Sequence, residues 1–197
     1  MSRTLILASN NAGKLTEFSA LLAPINFDLH TQSEFNVPEA DEPHVTFVEN
    51  AIAKARNAAR LTGKPALADD SGVCVNALGG APGVYSARYA GEPKSDQRNN
   101  EKLLQVMSGV ADRRAHYYCV LVLLRHAGDP QPLLAEGEWH GEIALQASGD
   151  GGFGYDPLFW LPELAKTSAQ LEREQKHALS HRGKAMQVLL QRMRRTT

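Results

Sequence analysis

Residues 4–22 read TLILASNNAGKLTEFSALL. Thr4 to Ala8 is a short apolar run of strand type. Leu15, Phe18, Leu21 and Leu22 then recur on one helical face, until Pro24 stops the helix. Between the two lies a polar, glycine-containing loop, so the chain opens as strand, loop, helix. Working outward, Leu29 to Val37 predicts a second strand, followed by an acidic loop from Glu39 to Glu42. Thr46 and Glu49 fit a capping box, alanines crowd the stretch from Ala51 to Ala59, and Gly63 closes that helix. Pro65 to Leu67 predicts a buried strand delivering Asp69-Asp70-Ser71-Gly72 at its end. Val73 to Leu78 continues as another strand, into a turn at Gly79 to Gly83.

Asp96 is placed to cap a helix reaching Met107, and Ala115 to Leu124 is a strong strand rich in Tyr, Val and Leu. Leu133 to Ile143, interrupted by Gly137 and Gly141, predicts a hairpin-like pair. After the loop Gly149 to Pro157 come two helices, Ser168 to Leu179 and Arg182 to Arg194. Helices and strands alternate at both ends, with strand pairs in the middle, which predicts an α/β fold with a mixed sheet. No repeat, low-complexity tract or linker interrupts the 197 residues, so one domain spanning 1–197 is expected, with room for a lobe folded out of it.

Composition narrows the function classes. Lys and Arg number 21 against 22 for Asp and Glu, a formal net charge of -1, which lacks the basic excess of a duplex-binding protein; no nucleic-acid partner is expected. No apolar run approaches the ~20 residues needed to cross a bilayer, so no membrane partner is expected. Met1 to Ala8 carries one basic residue and too short an apolar stretch for a signal peptide. Cys74 and Cys119 sit in strand-like runs as small hydrophobes, without metal-ligand spacing or a disulfide framework. A reducing, cytoplasmic setting is the expectation.

Four segments carry candidate chemistry. Ser9-Asn10-Asn11-Ala12-Gly13-Lys14 turns free backbone N–H groups and a mobile ammonium toward whatever binds there, which favours phosphate. It is not a Walker A loop: the first glycine is missing and Leu15 stands where the Mg-binding hydroxyl belongs. Read as local structure alone, it is an ordinary turn. Asp69-Asp70-Ser71-Gly72 offers adjacent carboxylates, hard oxygen ligands suited to Mg²⁺; alone it also reads as a solvated turn. Glu39, Asp41 and Glu42 add acids upstream or form an exposed loop. Gly149-Asp150-Gly151-Gly152-Phe153-Gly154-Tyr155-Asp156-Pro157 combines close backbone approach with two flat rings and an acid, or is a glycine turn with its rings in the core. Lys176 and Ser180-His181-Arg182-Gly183-Lys184 place donors between two helices, where an anion or a carbonyl oxygen is met; a solvated basic face is the alternative. Arg192, Arg194 and Arg195 suit a helix C-terminus and nothing more. No serine elbow, cysteine–histidine pair or zinc-protease spacing appears. What remains is phosphate chemistry by positioning, metal and an activated water.

Together these segments resemble the inosine triphosphate pyrophosphatase family, nearly end to end. The resemblance is carried by Ser9 to Lys14, Thr46-Phe47-Val48-Glu49-Asn50-Ala51, Ala68-Asp69-Asp70-Ser71-Gly72, Gly79 to Arg88, Gly152-Phe153-Gly154-Tyr155-Asp156-Pro157 and Ser180-His181-Arg182-Gly183. It implies an elongated two-lobed α/β fold around a long twisted mixed sheet flanked by helices, a nucleotide cleft between lobes, and a homodimer. It implies hydrolysis of non-standard purine triphosphates (dITP, ITP, XTP) to monophosphate and pyrophosphate, with Mg²⁺ as cofactor. By the same resemblance, Ser9, Asn10, Asn11, Ala12, Gly13 and Lys14 hold the triphosphate, and Asp70 is general base and metal ligand. Ser71 touches substrate, while Phe153, Gly154, Tyr155, Asp156, Lys176, His181 and Arg182 surround base, sugar and phosphate. Glu42 corresponds to the second acidic metal residue. This loop reads Glu39-Ala40-Asp41-Glu42-Pro43-His44 where relatives commonly have Glu-Glu-x-Gly; Pro43-His44 departs from that pattern, so Asp41 stays an alternative, as does Asp69. A Maf-type pyrophosphatase with other nucleotide specificity and a non-catalytic purine-nucleotide sensor are the competing functions.

Overall fold

The computed structural model describes residues 3–10, 14, 15, 18, 19, 22 and 27–195. In chain order the regular elements are β1 (Arg3–Leu7), β2 (Phe27–Thr31), α1 (Phe47–Thr62), β3 (Ala66–Val75), α2 (Asp96–Val106), β4 (Arg114–Leu124), β5 (Leu133–Ile143), β6 (Phe159–Leu161), β7 (Lys166–Thr167), α3 (Arg173–Leu179) and α4 (His181–Arg195). Lys14, Leu15, Phe18, Ser19 and Leu22 also have helical backbone. The strands form one seven-stranded sheet in the order β2-β1-β3-β4-β5-β6-β7. β1 runs parallel to β2 and to β3, whereas β6 runs antiparallel to both β5 and β7. The sheet is therefore mixed, and the α/β fold expected from the sequence is what forms. Parallel β1 and β2 require a crossover, which the helical residues around Phe18 supply.

Contacts divide the chain into two compact units: Met1–Asp70 with Cys119–Glu136 and Ala185–Thr197, and Ser71–Tyr118 with Gly137–Lys184. Unit 1 buries Leu5 and Leu7 of β1, Phe18, Leu22, Leu121 and the α4 residues Met186 and Leu189 in one core. Unit 2 has its own, built on Val73, Leu103, Tyr117, Trp139, Leu158 and Phe159. Thr46 caps α1, its hydroxyl accepting from the Glu49 N–H. Of the expected capping box this half is seen, and the Glu49 carboxylate accepts from the Thr46 hydroxyl. Gly63 ends the helix at φ 67°. Ala51, Ala55, Ala58 and Ala59 are its buried face. β5 buries alternate residues through its centre, as a strand with one solvated face does.

Several boundaries depart from the expected ones. β2 stops at Thr31 rather than continuing to Val37, because Thr31 and Glu34 form a reciprocal capping box that starts a 3-10 turn over Gln32–Phe35. Asp69-Asp70-Ser71-Gly72 is not a turn between two strands; β3 runs unbroken through it, with apolar residues buried on either side. Gly137 and Gly141 do not break β5 into a pair. Gly141 is instead where β6 crosses closely: a Cβ there would lie 2.5 Å from the Trp160 carbonyl oxygen. Ser95, not Asp96, caps α2, its hydroxyl accepting from Arg98 N–H. Thr167 and Gln170 make a second capping box, so Ser168–Gln170 is a 3-10 turn, with α3 starting only at Arg173 and α4 at His181. The loop residues Asn11, Ala12 and Gly13, together with Leu21 and Pro24, lie outside the described residues.

Candidate active site

In unit 1 the site is built on β3. Successive side chains of a strand point to opposite faces, and the two adjacent acids accordingly meet different partners. Asp69, only 1 % exposed, receives Lys14 Nζ at 2.8 Å from each carboxylate oxygen. Asp70 receives Lys54 Nζ at 3.0 Å, and the same ammonium lies 2.7 Å from Glu42 Oε1. Lys54 comes from α1, one turn after Ala51 on the alanine face. Asn10 donates to Glu39 at 3.2 Å, tying the loop after β1 to the acidic loop.

Burial pushes the Asp70 carboxyl above its ordinary pKa, with the Lys54 charge opposing the rise. Burial by itself would lower the Lys54 pKa, but Asp70, Asp69 and Glu42 outweigh it and the ammonium is held more firmly than usual. Among the described residues, Asp69 thus pairs with Lys14, and Asp70 and Glu42 share Lys54, in a partly dry setting. Among the described residues, Asp70 Oδ2 is inaccessible yet takes part in no hydrogen bond. A hard cation fits that oxygen. Such a cation uses one or two carboxylates and takes the rest of its shell from water and phosphate, a number of acids that Asp70 and Glu42 at the shared Lys54 supply. Of the two upstream acids, Glu42 joins the Lys54 cluster whereas Asp41 is exposed.

In unit 2 the loop of residues 149–157 wraps around the Asp156 carboxylate, which is 3 % exposed. Asp156 accepts from the Phe153 N–H at 2.7 Å, from Ser168 Oγ at 2.7 Å and from the Lys176 ammonium. A Cβ on Gly152 would fall 2.0 Å from Asp156 Oδ2, and φ there is +78°, so glycine is demanded twice over. α2 grips the same loop: Asp96 accepts from Gly154 N–H and Asn100 donates to the Gly154 carbonyl, both at 2.7 Å. The two aromatic rings of the loop diverge. Tyr155 is buried in the core with its hydroxyl donating to the Ser86 carbonyl at 2.8 Å, whereas Phe153 is 56 % exposed. Phe153 is thus the exposed ring of the two, with Lys176 5.1 Å and Arg182 5.9 Å from its centre.

His181 and Arg182 open α4, and neither is a solvated basic face: they are 7 % and 5 % exposed. Arg182 Nη2 donates to Ser71 Oγ at 3.3 Å. The imidazole of His181 stacks on Tyr117, centroids 4.7 Å apart and planes within 9°. Gly183 lets the start of α4 press against the end of α3, since a Cβ there would lie 1.9 Å from the His177 carbonyl oxygen. Among the described residues neither cysteine is in a disulfide; Cys119 is buried, and burial pushes the partly exposed Cys74 thiol up to about 11.

Sequence reasoning missed Lys54, Tyr117, Asp96 and Asn100. The first left a signal, a lysine placed among the alanines of a buried helical face. The others act through long-range contacts that no local pattern reveals.

An acid–lysine cluster on a central strand of a mixed sheet, in a chain that also presents an open aromatic ring among cations, defines an α/β protein equipped for phosphate-ester and anhydride chemistry. A model of the Ham1 family matches residues 5–192. The chain is 63% identical to a dITP/XTP pyrophosphatase of Nitrosomonas europaea, covering 95% of this chain and 92% of that one. It is 62% identical to one of Ralstonia nicotianae, covering 98% and 97%. A solved HAM1 protein from Coxiella burnetii superposes with a TM-score of 0.94 at 45% identity, over 98% of this chain and 99% of that chain. The chain belongs to the Ham1 family.

Proposed function

We propose that this chain hydrolyses non-standard purine nucleoside triphosphates, dITP, ITP and XTP, to the monophosphate and pyrophosphate. The observation that carries the proposal is the half-buried Asp70, held by Lys54 beside Glu42 and keeping one inaccessible oxygen without a hydrogen bond among the described residues. The name dITP/XTP pyrophosphatase borne by the relatives above supports the substrate class.

Water attacks the α-phosphorus in line; the bond to the oxygen bridging to the β-phosphorus breaks, and pyrophosphate leaves with the electron pair. Asp70 orients that water and takes its proton, a task suited to a carboxyl whose pKa burial has raised. Lys14, anchored on Asp69, and the N–H groups of the Ser9–Lys14 loop receive phosphate oxygens. Asp70 and Glu42 are the residues to hold Mg²⁺, with Asp69 and Asp41 less favoured. When bound, the ion neutralises charge growing on the phosphate oxygens. Phe153 provides a face for the base, and Lys176 and Arg182 add positive charge beside it. His181 and Arg182 donate to the 6-oxo group, and adenine, with an amino group there, leaves those donors unpaired. Ser71, which accepts from the Arg182 guanidinium, is assigned a contact with the same substrate on the strength of that hydrogen bond and the family resemblance.

A homodimer and a cytoplasmic location belong to the same proposal, supported by the family resemblance. A substrate panel tests the reading: ITP, dITP and XTP are turned over with monophosphate as product, ahead of ATP, GTP, dTTP and UTP. A preference for dTTP or UTP would move the chain to the Maf-type activity, and binding of ITP without turnover would make it a sensor.

A further inference from the structure

Tyr117, in β4, is 8 % exposed and takes no part in the chemistry described so far, yet its ring is the one parallel to the imidazole of His181. Centroids 4.7 Å apart at 9° describe an offset stack, the favourable geometry for two flat rings. The second side-chain torsion of a histidine is broad and two-fold, so the backbone of α4 does not by itself choose the plane of that ring. A flat neighbour does choose it. Tyr117 is in turn fixed on its other sides: Phe159 packs against it at 4.6 Å and 53°, and Trp139 lies 6.5 Å away at 26°. Its hydroxyl donates to Asp156 Oδ1 at 3.5 Å, on the carboxylate that also holds the Phe153 N–H and Lys176. Burial, with the Asp156 charge adding to it, keeps that hydroxyl protonated far above neutral pH, so it remains a donor.

We infer that Tyr117 is a positioning residue for substrate selection, its ring setting the plane in which His181 presents its N–H edge. This rests on the base-reading role given to His181 above. A side chain that only fills the core, when replaced, weakens folding and lowers turnover of every substrate alike. One that aims a hydrogen-bond donor changes the ratio between a 6-oxo and a 6-amino purine.

The experiment measures kcat/KM for ITP and for ATP, with a thermal melt, in the wild type, Tyr117→Leu, Tyr117→Phe and His181→Ala. Tyr117→Leu is expected to lower the ITP:ATP ratio on the order of tenfold, through loss on ITP, as the stack disappears. Tyr117→Phe keeps the stack and holds the ratio within about twofold. Tyr117→Met, flexible and without a flat face, replaces the leucine variant if that one fails to fold, and the same loss is expected of it. A folded leucine or methionine variant with an unchanged ratio, while His181→Ala lowers it, overturns the role of Tyr117 and leaves that of His181 standing. A ratio indifferent to His181→Ala removes the base-reading role itself, and the inference with it.

Discussion

Around Asp70 the partners are ions: Lys54 bridges Glu42 and Asp70, and Lys14 meets Asp69. Around His181 and Arg182 stand flat rings and a tethered loop: Tyr117 stacks on His181, Phe153 lies by the Arg182 guanidinium, and the loop's amides are tied to Asp156 and Asp96. The first arrangement stores charge in a partly buried place, where a phosphate, a cation and an ionising water respond to it strongly. The second stores orientation, which matters for telling one purine edge from another and little for the energy of a pentacovalent phosphorus. The two clusters lie in different compact units, each with its own core. Damage to the first should therefore appear in turnover, and damage to the second in affinity and selectivity.

The largest effect is expected from Asp70→Asn, which keeps the shape and removes the base: kcat for ITP falls on the order of 10²- to 10⁴-fold with KM little changed. A variant with near-normal kcat in saturating Mg²⁺ would remove Asp70 from the chemistry. Lys54→Met comes next and acts on stability as well. It strands Glu42 and Asp70 without their shared ammonium, at a cost of about 3–5 kcal/mol, read from the urea midpoint at neutral pH. In that variant the Asp70 pKa rises further in the folded state, which then binds a proton more tightly than the unfolded chain. The deficit must shrink as pH falls through that raised pKa, and a deficit that grows on acidification would contradict the pairing.

His181→Ala should leave kcat for ATP nearly untouched and lower the preference for ITP over ATP by about tenfold to a hundredfold, the worth of a donor paired in one complex and idle in the other. Phe153→Ala is expected to do least: KM rises about tenfold for all purines together, since stacking on a flat ring does not distinguish them. Were Phe153→Ala to change selectivity while His181→Ala changed only KM, the assignments within unit 2 would have to be exchanged.

Much of this was legible in the chain itself. The cap of α1, its closing glycine and the apolar run of β4 are local signals and they formed as expected, as did the mixed sheet. β3 was not legible as one strand, because Ser71 and Gly72 carry turn chemistry and only burial on both flanks shows that the strand continues. β6 and β7, three and two residues long, are too short to leave a period. The residue types of the candidate site stood out, but their wiring did not. Tyr155 and Phe153 look interchangeable in a Phe-Gly-Tyr motif, and only the fold buries one ring and exposes the other. Lys54 could have been found as a cation on an alanine face; the stack of Tyr117 on His181 brings together residues 64 positions apart and could not.

The most direct test of the whole account is pyrophosphate release from ITP by the wild-type protein, followed with Mg²⁺ present, after chelation with EDTA, and after Mg²⁺ is restored. The acid–lysine cluster, with an Asp70 oxygen in no hydrogen bond among the described residues, requires IMP and pyrophosphate in equal amounts with Mg²⁺, collapse of the rate on chelation, and recovery on re-addition. Undiminished release in EDTA, or IDP and inorganic phosphate as products, would contradict it.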